Sequence, residues 1–207
     1  MHFDYVVEAR RFALRGPNNE LNKYLAMIED ASSSPTPEVA LAKLQAVRDL
    51  IANSSLPERD VLLAIVYNQM GFDLKRLGRY KESVDTYNLA LRHVQSLGDE
   101  AFIRKGLGKV LYLAGNFQEA ANNLLTSIVI FLRLGNTDEA TTLLLHLGHS
   151  MADGDPENQR LSAANIRNYT KTLSGKGEVV GPDMVYEHGC IDIARREVRR
   201  HVPNANI

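Results

Sequence analysis

The chain matches itself when it is shifted by 37 residues, and this internal repeat constrains the fold more than any other feature of the sequence. Gly71 pairs with Gly108, and Gly78 pairs with Gly115. The remaining matches include Leu74 with Leu111, Tyr80 with Phe117, Glu82 with Glu119, and Ser83 with Ala120. A repeat of this length is typical of a solenoid, in which each unit buries its apolar face against its neighbours.

The repeated units are predicted to be helical. No proline lies between Pro57 and Pro156, and this stretch is rich in leucine and alanine, which favours helices. Few segments alternate apolar and polar residues as half-buried strands do. The sequence therefore predicts an all-α fold of about ten helices. We expect them near 3–15, 18–31, 37–53, 57–77, 80–97, 99–114, 117–134, 137–152, 156–173 and 183–201.

The paired glycines have two predicted roles. Gly71 and Gly108 fall inside predicted helices, where glycine costs about 1 kcal/mol relative to alanine. We therefore expect a neighbouring helix to cross too closely there for a side chain. Gly78 and Gly115 follow seven residues later, where a helix should end, and glycine suits the left-handed position just beyond a helix.

These positions belong to a longer pattern that resembles a tetratricopeptide repeat. The first copy has Tyr67, Met70, Gly71, Leu74, Gly78, Tyr80, Ser83, Tyr87 and Ala90. The second has Leu107, Gly108, Leu111, Gly115, Phe117, Ala120, Leu124 and Ser127. The resemblance implies an α-solenoid of antiparallel helix pairs. It also implies that the three residues beyond the family's usual length, Leu97-Gly98-Asp99, extend the second helix of the first copy.

Domain boundaries follow from this resemblance. The repeat region is expected over 61–173, with copies at 64–97 and 101–134 and a degenerate copy at 138–173. A register slip of three residues puts Gly148 at the glycine position of that third copy and Asp155-Pro156 at its turn. Residues 1–60 are expected to form a degenerate repeat or a cap. Residues 174–207 are expected to be a linker followed by a capping helix.

Composition excludes several classes of function. The formal net charge is −1, which disfavours a dedicated nucleic-acid binder. No apolar run approaches the roughly 18 residues of a membrane span, and charges inside the first 12 residues disfavour a signal peptide. The single cysteine, Cys190, is compatible with a reducing compartment. We therefore expect a cytoplasmic protein.

Evidence for catalysis is weak. His146 and His149 share a helix face and could ligate a metal with Asp153 or Asp155, but two polar groups on a groove are the favoured interpretation. The arginine-rich run 195–201 is interpreted as a solvated helix end whose cations complement the helix dipole, rather than as a contact for nucleic acid or an acidic protein. We predict no enzymatic activity, no metal and no cofactor.

The resemblance implies a concave groove lined by the first helix of each repeat, a surface that typically receives an extended peptide or a partner helix. The lining positions are Asn68, Phe72, Lys75, Arg76, Lys105, Lys109, Tyr112, His146 and His149; His146 holds one only in the unshifted register. Residues 61–135 contain nine Lys and Arg against six Asp and Glu. We therefore expect a weakly basic groove that binds an acidic segment in an adaptor or scaffold. The alternatives are a peptide-responsive regulator and a homodimeric assembly factor.

The helix near 117–134 is apolar around most of its circumference, which means that it must be covered on more than one side. The helix near 156–173 can cover only part of it. The remaining cover is expected from the C-terminal helix, through Val185, Ile191, Ile193, Ala194 and Val198. The alternative is a second molecule, which would make the protein a homodimer.

Overall fold

The computed structural model describes residues 19–158 and 182–207, and within them it contains eight helices of defined extent and no strand. The helices are α1 (Asn19–Ser32), α2 (Pro37–Ala52), α3 (Arg59–Arg76), α4 (Tyr80–His93), α5 (Leu97–Leu113), α6 (Phe117–Arg133), α7 (Thr137–Gly154) and α8 (Pro182–His201). The predicted all-α class is confirmed. Three predictions lie outside the described residues. They are the helix at 3–15, the part of the helix at 156–173 that follows residue 158, and the loop at 174–181.

Local signals in the sequence set the helix ends. Thr36 caps α2 by accepting a hydrogen bond from the Val39 amide, and Pro37 occupies the first turn, as the sequence predicts. Gly78 and Gly115 have φ angles of +71° and +80°, the left-handed conformation predicted for them. Gly135 ends α6 in the same way, with a φ angle of +77°.

Each of these three turns carries two backbone hydrogen bonds. After α3, the Gly78 amide donates to the Lys75 carbonyl at 3.0 Å and the Arg79 amide donates to the Leu74 carbonyl at 3.0 Å. The turns after α5 and α6 repeat both bonds. This is the Schellman arrangement, which satisfies carbonyls that the helix end leaves unpaired. Each turn therefore reverses the chain in three residues.

The chain divides into two compact units between Val110 and Leu111, inside α5. In the first unit, α1 packs on α2, α2 on α3, and α3 on α4. One apolar core runs through the first three of these helices. Its most deeply buried side chains include Ile28, Leu44, Ile51, Leu62 and Val66.

A tyrosine ring is enclosed by glycines from two helices in the first unit. Tyr87 of α4 is 2% exposed, and a Cβ atom on Gly71 of α3 would lie 3.0 Å from its ring. A Cβ on Gly106 of α5 would lie 2.6 Å from the other edge of the ring. Ser83 also donates its hydroxyl hydrogen to the Gly71 carbonyl at 2.6 Å. The prediction of close packing at Gly71 is therefore confirmed, whereas the role of Gly106 was not predicted.

Gly108, which the repeat pairs with Gly71, is buried. That a neighbouring helix crosses closely at Gly108 stays a prediction.

The predicted extension of the second helix of the first copy by Leu97-Gly98-Asp99 is wrong. Helix α4 ends at His93, and these three residues begin α5 instead. The connection between α4 and α5 is 94–96, where the Ser96 hydroxyl accepts a hydrogen bond from the Asp99 amide at 3.1 Å. The serine thus acts as a helix-starting signal that overrides continuation of α4.

In the second unit, α6 packs on α7 and α8 packs mainly on α7. The crossing of α7 and α8 is very close, because a Cβ on Gly148 would overlap the Cys190 carbonyl oxygen. Cys190, Ala194 and Val198 of α8 have no exposed surface, and Ile193 is 5% exposed. Helix α8 therefore presents one apolar face to the rest of this unit.

Among the helix contacts described for the second unit, the apolar helix α6 packs on α7 and makes a smaller contact with α8. Leu124, Ile128 and Phe131 of α6 are completely buried, whereas Leu125 and Val129 remain half-buried. The C-terminal helix thus supplies part of the cover expected from it, but it contacts α7 more than α6. No helix among the described residues is long and apolar enough to cross a membrane.

Candidate partner-binding surfaces

The first candidate surface lies on α3 of the first unit and contains Phe72, Lys75 and Arg76. Their spacing of three and four residues puts them on one helix face. The Lys75 ammonium lies over the Phe72 ring at 4.7 Å from its centroid, and the Arg76 guanidinium carbon lies 5.8 Å from the same centroid. Both cations therefore contact the negative face of one aromatic ring. The structure thus brings together three of the predicted groove residues.

Arg76 is partly engaged within the protein. Its guanidinium donates to Asp73 at 3.3 Å, and the Gln69 amide donates to the second oxygen of the same carboxylate at 3.2 Å. Asp73 is only 1% exposed, so its charge needs such partners. Arg76 therefore serves a structural role that the sequence analysis did not predict.

Lys75 differs from Arg76 in having no carboxylate partner among the described residues. Its side chain is half-buried, and this burial lowers the pKa of Lys75 below the usual lysine value because the charged form loses hydration. The ammonium is thus a partly desolvated positive charge supported only by an aromatic ring. Such a charge is suited to bind an incoming anion.

Helix α5 presents a similar pair. The Lys105 ammonium lies 4.9 Å from the centroid of the Phe102 ring. Because Gly71 and Gly106 contact opposite edges of the Tyr87 ring, this part of α5 and the middle of α3 flank the same side chain. Lys109 and Asn68, the other predicted positions in this unit, are half-buried.

A second cluster lies in the second unit, and we call Tyr112, His149, Asp153 and Tyr186 the tyrosine cluster. The Tyr112 hydroxyl donates to Asp153 Oδ2 at 2.7 Å, and the Tyr186 hydroxyl donates to Asp153 Oδ1 at 3.5 Å. The Tyr186 ring stacks on His149, with ring centroids 5.5 Å apart and an interplanar angle of 23°. The Tyr112 ring lies 6.4 Å from the same imidazole. Two predicted groove residues, Tyr112 and His149, are therefore brought together here.

Electrostatics in the tyrosine cluster favour protonated phenols. The hydrogen bond to Asp153 raises the pKa of Tyr112 to about 12, because ionisation would place two negative charges together. Burial raises the pKa of Tyr186 as well, with a further contribution from Cys190. The Nε2 atom of His149 is buried and has no hydrogen-bond partner within residues 19–158 and 182–207.

The remaining groove prediction, His146, is half-buried, and its carbonyl accepts a hydrogen bond from Ser150 at 2.9 Å. In the alternative interpretation as a metal site, Asp153 would be a ligand together with His146 and His149. In the structure it accepts hydrogen bonds from Tyr112 and Tyr186 instead. Among the described side chains, no group of three His, Cys, Asp or Glu residues could hold a metal ion.

Sequence reasoning missed Tyr186 and Phe102. Phe102 precedes Lys105 by three residues, as Phe72 precedes Lys75, and this shared spacing could have identified it. Tyr186 carries no comparable signal, because it lies 33 residues from its partner Asp153 along the chain.

Short antiparallel helix hairpins, joined by left-handed glycine turns and packed through glycines, define a helical-repeat protein. The family model of the tetratricopeptide repeat matches residues 62–131, so the chain contains tetratricopeptide repeats over this region. The match covers α4, α5 and most of α3 and α6, and it confirms the family predicted from the sequence pattern. Such repeats generally mediate protein–protein interactions and are typically not enzymes. No solved structure matches the chain significantly.

Proposed function

We propose that this protein is a non-enzymatic adaptor or scaffold that binds an acidic peptide segment, with the basic face of the first unit as its contact surface. That face consists of Phe72, Lys75, Arg76, Lys105 and Lys109. The observation that carries the proposal is Lys75, whose half-buried ammonium lies against Phe72 and pairs with no carboxylate of the described residues.

The physical argument rests on desolvation. An exposed lysine loses hydration when it binds a carboxylate, and this loss cancels most of the attraction. Lys75 has already lost part of its hydration through folding, as the lowered pKa indicates. A carboxylate that binds it therefore gains attraction in a medium less polar than water. The rings of Phe72 and Phe102 would supply apolar contact beside the charges.

A cytoplasmic location is part of the proposal, since the chain's single cysteine, Cys190, is buried and forms no disulfide, which suits a reducing compartment. Natural partners can be sought by affinity capture with mass spectrometry. The surface itself can be tested without them. The probe is a fluorescein-labelled decapeptide of alternating glutamate and leucine, and its glutamine counterpart provides the uncharged reference.

We predict that the wild-type protein binds the glutamate peptide more tightly than the glutamine peptide. Replacing Lys75→Glu, or Lys105→Glu together with Lys109→Glu, should weaken binding by about tenfold or more, which corresponds to about 1.4 kcal/mol. Fluorescence anisotropy measures this change. Binding should also weaken as salt is raised, because exposed charges are screened within about 8 Å at physiological ionic strength.

The matched control is Lys81→Glu, which makes the same change in charge at an exposed position of α4. It should leave the affinity near that of wild type. An equal loss in the control would mean that only net charge matters, and wild-type affinity in the Lys75 variant would exclude this face as the site.

A further inference from the structure

The tyrosine cluster resembles a binding subsite that the protein occupies with its own side chain. Tyr112, His149 and Asp153 all lie between residues 111 and 154, whereas Tyr186 comes from α8, which packs on α7 from further along the chain. The ring of Tyr186 stacks on His149, and its hydroxyl group reaches Asp153. A phenol side chain is therefore recognised by an aromatic surface and by a hydrogen-bond acceptor.

The contact with Tyr186 is weaker than the rest of the α8 interface. Its hydrogen bond to Asp153 is 3.5 Å long, which is at the far limit for a hydroxyl donor, and the residue is 38% exposed. Cys190 and Val198, by contrast, are completely buried. Tyr186 is therefore held less firmly than the buried residues of the later turns of α8.

The receiving side keeps unused binding capacity. The Nε2 atom of His149 is buried and forms no hydrogen bond with any described residue. The Tyr112 hydroxyl already holds the other oxygen of Asp153 at 2.7 Å and so fixes the orientation of the carboxylate. A tyrosine of a partner segment would supply the ring and the donor for Asp153, and a backbone amide beside that tyrosine would supply the polar group for His149 that Tyr186 does not provide.

We propose that Tyr112, His149 and Asp153 form a subsite for a tyrosine side chain of a partner segment, and that Tyr186 is an intramolecular competitor for it. The inference rests on the proposed binding function and adds one residue type of the partner. It also makes α8 a regulatory element, because partner binding at this subsite requires release of Tyr186. Intramolecular occupation multiplies the apparent affinity by the fraction of molecules in which the subsite is open.

The experiment uses N-acetyltyrosinamide as the probe, titrated into the whole chain and followed by NMR through the ring resonances of Tyr112, which every variant of the test retains. The Tyr186→Ala variant should bind the probe about tenfold more tightly than wild type, because the competing ring is absent. N-acetylphenylalaninamide should bind this variant more weakly, since it has no donor for Asp153. N-acetylalaninamide should not bind, and adding His149→Ala to the variant should abolish binding of the tyrosine probe.

The Tyr186→Phe variant is the matched control, because it keeps the stacked ring but loses the bond to Asp153; it should bind the probe more tightly than wild type and less tightly than Tyr186→Ala. Circular dichroism reports whether each variant remains folded. If Tyr186→Ala disrupts α8, the wild-type titration provides the test, since a saturating probe should move the Tyr186 ring resonances towards those of an exposed tyrosine. The proposal is overturned if Tyr186→Ala binds no more tightly than wild type, or if unchanged Tyr186 resonances accompany probe binding.

Binding of the tyrosine probe at this subsite does not depend on the basic face of the first unit. The Lys75→Glu variant should bind N-acetyltyrosinamide as wild type does. Loss of acidic-peptide binding with retained tyrosinamide binding, or the reverse, therefore shows which of the two proposals has failed.

Discussion

Two side chains of similar type can have different roles that only their neighbours decide. Arg76 and Lys75 are adjacent cations on α3, yet Arg76 pairs with buried Asp73 whereas Lys75 contacts only the Phe72 ring among the described partners. The sequence places both on one face, because helical spacing is known once the helix is known. It cannot reveal that Asp73 is buried and thereby recruits one of them.

The Tyr112–Asp153 bond gives a prediction for alkaline pH. Below pH 10, Tyr112 keeps its proton in the folded and the unfolded chain, so its hydrogen bond contributes fully, by about 1 kcal/mol. Because Asp153 raises the pKa of folded Tyr112 to about 12, the unfolded chain loses its proton first as the pH rises. The contribution therefore falls between about pH 10 and pH 12.

The measurement is the melting temperature of wild type and Tyr112→Phe from pH 8 to pH 12. The wild type should be more stable at pH 8, and the difference should shrink above pH 10. The comparison isolates one phenol among the eight tyrosines of the chain. Two parallel curves over this range would contradict the role assigned to Asp153.

The positions of helices were largely predictable from the sequence. All eight described helices begin within two residues of their predicted starts, because capping residues and glycine turns act locally. The largest difference is the end of α4, which comes four residues before its predicted end. Ser96 already caps the start of α5, and no glycine comparable to Gly78 marks the end of α4 in the sequence. Contacts between distant helices, such as Gly148 with Cys190, follow from packing and could not be read from one segment.

Glycine substitutions at the Tyr87 ring test how helices pack in the first unit. Alanine gains about 1 kcal/mol of helix propensity over glycine, whereas overpacking typically costs about 1–3 kcal/mol. At Gly71 the new Cβ would lie 3.0 Å from the ring, and at Gly106 only 2.6 Å. We therefore expect Gly71→Ala to be nearly neutral and Gly106→Ala to destabilise the protein.

Urea unfolding followed by circular dichroism would measure these free energies. Asn88→Ala, at an exposed position next to Tyr87, serves as the control and should change stability by no more than about 0.5 kcal/mol. If Gly106→Ala were as stable as the control, the ring would have moved aside, and the enclosure by two glycines would not limit the approach of the helices.

For the whole molecule, the expected far-UV circular dichroism spectrum has minima near 208 and 222 nm, with well over half of the residues helical, because the described helices alone account for most of the chain. A substantial β-sheet component would contradict the fold. Stability in such repeat proteins is approximately a sum of repeat and neighbour terms. Destabilising variants at Gly106 and at Gly148 should therefore act nearly additively, since they affect different units.

The close crossing of α7 and α8 has a consequence for synthesis of the chain. Most helix contacts described above join elements that follow each other directly, and such local contacts form quickly. Gly148 and Cys190 are separated by about forty residues, so α8 is translated well after α7. The surface of α7 that receives α8 is therefore complete but uncovered while the residues between the two helices are still being added. During that interval a nascent chain is open to interception at this surface by a chaperone or by another copy of itself.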